Sequence, residues 1–235
     1  MTNSILASLQ KADRDRILSR LEHVTLARQH ILFESGQPID HIYFPETCVV
    51  SLIIELPDGR EVEGAMIGRE GVAGIGGLNA KNTSYTRQQI QVAGSAHRAS
   101  RAVLRELETE FPDVEHVVAA YRDAFAALLL QTIACQSVHT AEERLARNLL
   151  ETIDRSGTLD VPITHEILGI MVGVGRPTIT LLVRAFEAAQ LVRTRRGGMT
   201  ILDKPGLQEI SCPCYELARQ VFVRAGLFPH VPDAD

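Results

Sequence analysis

The side chains best equipped for specific chemistry lie in the last third of the chain, and they are of two kinds. The first is a run of donors: Arg176, Thr178, Thr180 and Arg184, followed by Arg193, Arg195 and Arg196. A guanidinium can donate two parallel N–H bonds to the paired acceptors on a guanine edge, so Arg176 is a candidate base reader. Thr164 and Arg184 suit phosphates, which position a protein on a duplex without specifying sequence. His165, next to Thr164, joins them as a DNA-contacting candidate. The second kind is the pair Cys212-Pro213-Cys214. Two thiolates so close could contribute to a metal site, but tetrahedral zinc usually takes four ligands. No second Cys/His cluster is spaced along the sequence to complete it. The expectation is therefore ordinary half-buried cysteines and no metal. A cluster of closely spaced N-terminal cysteines, as an iron–sulfur centre would need, is absent from the sequence.

The elements around Arg176 are legible from capping and turn chemistry. Thr164 is a suitable N-cap for a short helix with Ile167, Leu168 and Met171 on its apolar face. Gly169 is small enough for a second helix to approach closely. Gly173 supplies a sharp turn, since glycine tolerates positive φ. A second helix starts near Gly175-Arg176-Pro177, with proline in the first turn, where its missing N–H needs no partner. Ile179, Leu182, Val183 and Phe186 form its buried face, leaving Arg176, Thr178, Thr180, Leu181 and Arg184 exposed. This is helix–turn–helix spacing, in which the start of the second helix enters the major groove. Leu191 to Asp203 then reads as a β-hairpin around Gly197-Gly198, a wing whose arginines would face phosphates.

Upstream, the periodicity of Val114, Val118, Tyr121, Phe125, Leu128, Thr132 and Cys135 alternates steps of four and three. It predicts a long helix from Phe111 to about Gln136 with a heptad seam for a partner helix. From about Val24 to Ala99, short β-branched and aromatic runs are separated by turn signals: His30–Phe33, His41–Phe44, Val49–Ile54 and Gln89–Val92. They predict a β-barrel or sandwich. Ile5, Leu6, Leu9, Ile17, Leu18 and Leu21 predict a helical start. The net charge is -5, yet residues 161–200 carry five arginines against two glutamates. Attraction to phosphate depends on the local face rather than on this sum. No apolar run reaches the roughly 18–20 residues that span a bilayer. No signal peptide is seen at the start, so a cytoplasmic protein without a membrane partner is expected.

These features resemble the Crp/Fnr family of bacterial transcription regulators over nearly the whole length. Ile163-Thr164, Gly169, Val172-Gly173, Arg176, Thr178, Leu182, Glu187 and the wing ending Thr200–Asp203 are similar to its DNA-binding domain in order and spacing. His41–Pro45, Val50-Ser51, Asp58-Gly59 and Gly68–Gly71 are similar to its cyclic-nucleotide-binding-like jelly roll. The resemblance implies a homodimer joined by the long helix, double-stranded DNA as partner, and RNA polymerase contact if the protein activates. It departs in two places. Family members often carry an acid and a second arginine on the recognition helix, where this chain has Pro177 and Leu181. The family's nucleotide-binding positions fall on Val72 and Gly74, near Thr86-Arg87, and on Leu129 and Leu130. A ribose hydroxyl left without its acceptor is an expensive loss, so cyclic AMP is not expected to bind.

The fold expected is α+β: a jelly-roll or barrel sensor domain (1–110), a dimerisation helix (111–138), a winged helix-turn-helix (139–210) and a C-terminal tail (211–235). The function expected is sequence-specific DNA binding. A nucleotide-binding signalling module with a weak or vestigial DNA domain is the alternative, kept open by Pro177 and Leu181. An enzyme on a cupin-like barrel is disfavoured: His30, His41 and His97 lie on separate segments, and no GxSxG-type motif is present.

Overall fold

The computed structural model describes residues 2–75 and 83–227. The helical start is divided into α1 (Ser4–Ser8) and α2 (Lys11–Leu18). Asn3 caps α1, accepting from the Ile5 and Leu6 amides, while its side-chain amide donates to Pro45 O and Gly71 O at 2.9 and 2.8 Å. Seven strands follow: β1 (Glu22–Leu26), β2 (Ile31–Phe33), β3 (His41–Pro45), β4 (Val49–Glu55), β5 (Glu61–Ile67), β6 (Arg87–Val92) and β7 (Gly94–Ser100). They pair antiparallel in two sheets, ordered β1-β7-β3 and β2-β6-β4-β5. Leu26, Tyr43 and Ala96 from the first sheet share one core with Phe33, Val50, Ile67 and Ile90 from the second. This is the expected two-layered β domain.

Ser100 caps α3 (Arg101–Glu110), and α4 (Pro112–Val138) follows at once. A Thr140/Glu143 capping box starts α5 (Ala141–Ser156), and Gly157 ends it. Next come β8 (Asp160–Val161), α6 (His165–Val172), α7 (Arg176–Ala188), β9 (Val192–Arg195), β10 (Gly198–Ile201), α8 (Lys204–Ile210) and α9 (Cys214–Arg224). Within 211–235, expected as a tail, α9 is thus a packed helix. Residues 228–235 lie outside the described residues.

The long helix forms where expected, but its 4-3 stripe faces inward. Val114, Val118, Tyr121 and Leu128 are buried in a core that includes Ile5 and Leu6 of α1, Phe44 of β3 and Phe222 of α9. The Tyr121 ring stacks on Phe125 at 5.6 Å and on Phe222 at 6.3 Å between centroids. Cys135 is fully buried, and Phe125 and Thr132 are half-buried. Five of the seven expected seam residues are thus buried against their own chain, while Phe125 and Thr132 keep part of their surface open. A heptad stripe marks whatever apolar surface a helix is pressed against, and here that surface belongs to the same chain. A second apolar line lies on the opposite side, where Leu130 is 70% and Ile133 64% exposed. Apolar on both sides, α4 is long and apolar enough to cross a bilayer, by length and composition alone, where the sequence showed no unbroken apolar run.

The C-terminal half and the β domain share a core. Leu145, Leu149, Leu150, Ile163, Leu168, Ile179 and Phe186 pack in one cluster with Val49, Met66 and Val92 of the β4-β5-β6 sheet. Beside this cluster Arg155 donates from Nε to Glu70 at 2.8 Å and from Nη1 to Glu151 at 3.0 Å, all three being buried. Buried charges are tolerated only when so paired. Arg28, in the β1–β2 connection, donates to Pro162 O at 2.6 Å and to Gly197 O at 3.2 Å.

Candidate nucleic-acid interface

The Thr164 hydroxyl accepts from the Ile167 amide and caps α6, as its position before the apolar run requires. Gly173 ends α6 at φ +74. A Cβ on Gly169 would stand 2.8 Å from Val174 O, so only glycine admits the turn this closely. Between α6 and α7 the chain bends by 104°, within the range of DNA-binding helix pairs. Pro177 sits in the first turn of α7. Ile179, Val183 and Phe186 are buried, and Leu182 is half-buried. Arg176, Thr178, Leu181 and Arg184 are exposed, as the helical periodicity requires.

The wing closes on the same side. β9 and β10 pair from Val192↔Ile201 to Arg195↔Gly198, leaving Arg196 and Gly197 (φ +81) as the turn. Glu187, on α7, accepts from the Thr194 amide at 2.9 Å and from the Thr194 hydroxyl. That hydroxyl bond, with the amide bond behind it, holds the Glu187 carboxyl below the usual carboxylate range. Glu187 is thus a clamp between recognition helix and wing, a role the sequence reading did not assign to it.

The result is a crevice of about 300 Å³ lined by Thr164, His165, Arg176, Thr194, Arg195 and Gly197 among others. It gathers candidates from α6, α7 and the wing. Among the described residues Arg176 has no ion-pair partner, and its guanidinium stands free at the head of α7. Arg195 reaches Asp160 at 3.5 Å. Thr180 is already engaged: its hydroxyl donates to Arg176 O at 3.0 Å and lies 3.2 Å from His165 Nδ1. It orients His165 and is half-buried, a different place from the exposed one expected. Thr178, Arg184 and Arg196 are exposed outside the crevice lining.

The expected effector pocket is brought together only in part. A cavity of about 240 Å³ lies between the β domain and α4, and Val72, Gly74, Thr86 and Leu129 all line it. Two candidates do not. Arg87 pairs with Glu61 at 2.7 Å, because alternation along β6 places it on the other side from the cavity-lining Thr86 and Gln88. Leu130 points away to the exposed side of α4. The cavity instead receives Tyr121, Arg122 and Phe125 from α4, which sequence spacing had assigned elsewhere or not at all.

The architecture is a β sandwich joined by a long helix to a winged helix-turn-helix. Residues 143–210 match the family model described as the Crp-like helix-turn-helix domain. No curated protein matches the chain. Among solved structures, FixK2 from Bradyrhizobium japonicum superposes with a TM-score of 0.67 at 17% identity, covering 82% of this chain and 98% of that one. A Crp/Fnr-family transcriptional regulator from Eubacterium rectale gives 0.65 at 18%, covering 88% and 96%. The c-di-GMP-responsive regulator CLP of Xanthomonas campestris gives 0.64 at 16%, covering 83% and 100%. Residues 143–210 thus form a Crp-like helix-turn-helix domain, and the chain shares its fold with these solved structures.

Proposed function

We propose that the protein is a homodimeric, sequence-specific transcription regulator that inserts the start of α7 into the major groove of double-stranded DNA. The observation that carries this reading is the crevice in which the free Arg176 meets Thr164, His165 and the wing. Arg176 reads a guanine edge, Thr178 stands beside it, and Arg184, Arg195 and Arg196 hold phosphates. Exposed Leu181 offers no donor but suits a thymine methyl, so the operator differs from sites read by a second arginine. RNA polymerase is a further partner if the protein activates. The test is a mobility shift on DNA from upstream of the protein's own gene. Arg176→Ala should lose specific binding, a discrimination of about 1–3 kcal/mol, while remaining folded. Undiminished specific binding by that variant would sink the assignment.

Dimerisation runs along the exposed Leu130 and Ile133 side of α4, since the opposite side is filled by the chain itself. The effector is not cyclic AMP. Val72 is buried at the position where an acid would meet a ribose hydroxyl, and the cavity is lined chiefly by apolar groups. Calorimetric titration with cyclic AMP should show no saturable heat; a micromolar isotherm would overturn this.

A further inference from the structure

Cys212 and Cys214, which lack ligand partners nearby in the sequence, find them in the fold. Cys135 is in the last turn of α4, and His139 is the residue that ends it, four positions later and on the same side. Pro213 turns the chain between α8 and α9, so Cys212 and Cys214 arrive from the opposite direction. Cys135 Sγ lies 3.5 Å from Cys212 Sγ, and Cys214 Sγ lies 3.6 Å from His139 Nδ1. All four ligand atoms fall within 4.8 Å of one another. The three cysteines are fully buried and form a cluster separate from the apolar cores; His139 is half-buried, giving the site an open side.

We propose that Cys135, His139, Cys212 and Cys214 form a tetrahedral binding site for a single zinc ion. Zn–S bonds of about 2.3 Å at the tetrahedral angle put sulfurs about 3.8 Å apart, and a Zn–N bond of about 2.0–2.1 Å shortens a sulfur–nitrogen edge to roughly 3.6 Å. The observed contacts of 3.5 and 3.6 Å already have that size. A disulfide would need sulfurs about 2.05 Å apart. Thiolates on separate irons of a cluster would have to stand wider than this group does. Three thiolates and one Zn2+ leave one negative charge. Arg147 of α5, buried and with its Nε unpartnered, lies within electrostatic reach of all three sulfurs and offsets it. On binding, each thiol releases its proton and neutral His139 ligates through Nδ1. The ion would staple the end of α4 to the start of α9, beside the point where the DNA-reading half begins.

The full-length protein, purified under reducing conditions without chelator, should carry about one zinc per chain by elemental analysis. After chelation, Co2+ should restore an intense tetrahedral visible spectrum with thiolate charge transfer. Cys212→Ser and Cys214→Ser should each lose most of both signals. The proposal is overturned if folded wild-type protein holds no zinc and gives no tetrahedral cobalt spectrum. A Cys135–Cys212 disulfide in its place, or iron with inorganic sulfide, would also overturn it. The wild-type measurements decide even if a serine variant fails to fold, and none of them depends on DNA binding.

Discussion

Glu63 is the group whose charge the fold opposes most clearly. It is fully enclosed on β5, accepting from the Ser51 hydroxyl and from Gln91 Nε2 at 3.2 Å. Burial pushes its pKa from 4.5 up to about 7, against the Ser51 bond that favours the carboxylate; Glu151 adds repulsion. Ionised Glu63 is thus disfavoured in the folded chain but not in the unfolded one. Above about pH 7 the folded state bears the full penalty, about 2.5 pH units at 1.36 kcal/mol each, or about 3 kcal/mol. Lowering the pH protonates the folded chain first, so this penalty shrinks as pH falls from about 8.5 through 7 and vanishes below about 4.5. Between about pH 8.5 and 6 the gain is about 1 kcal/mol. Glu63→Gln removes the charge and keeps a carbonyl oxygen that can accept from Ser51 and Gln91. The variant should be more stable than the wild type at pH 8.5, with the difference narrowing by about 1 kcal/mol at pH 6, or roughly 2–4 °C in Tm for a chain of this size. Paired thermal or urea unfolding of the two proteins at both pH values cancels the titration of every other group. A difference that is flat with pH, or that grows as pH falls, would refute the reasoning.

Arg196 stands at the tip of the wing turn with no ion pair among the described residues, whereas Arg195 shares Asp160. Arg196→Ala should therefore weaken binding alike on specific and random DNA, and lower the slope of log K against log salt by about two for a dimer, near 0.9 per lost phosphate contact. Leu130→Glu combined with Ile133→Glu should give a monomer in sedimentation with unchanged far-ultraviolet dichroism; a persistent dimer would remove α4 from the interface.

Where a residue's local job is its only job, the sequence is readable. Thr164, Gly173 and Pro177 cap, turn and start helices through backbone chemistry that no tertiary contact overrides, and all three do as expected. β5 and β7 lacked such a signal. Glu61–Ile67 hides two glutamates and a glycine in a sheet, and Gly94–Ser100 is mostly small and polar, so neither looks apolar in isolation. The stripe on α4 is legible as apolar, but much of it meets the chain's own core, because periodicity records burial and not the owner of the surface. The cysteine–histidine cluster was invisible for a simpler reason: 77 positions separate Cys135 from Cys212, and only the return of α9 along α4 closes that gap.

The β4-β5-β6 sheet and the C-terminal half share an apolar core, which makes the division near residue 138 one of sequence and not of cohesion. Val49, Met66 and Val92 lose their cover if the second half departs, and Glu70 loses the guanidinium of Arg155. In this arrangement the chain is one cooperative folding unit with a reading head, and not two beads on a string. A ligand that entered the α4 cavity would therefore need no wire to reach the other half. It has only to change the free energy of a packing surface that both halves already own.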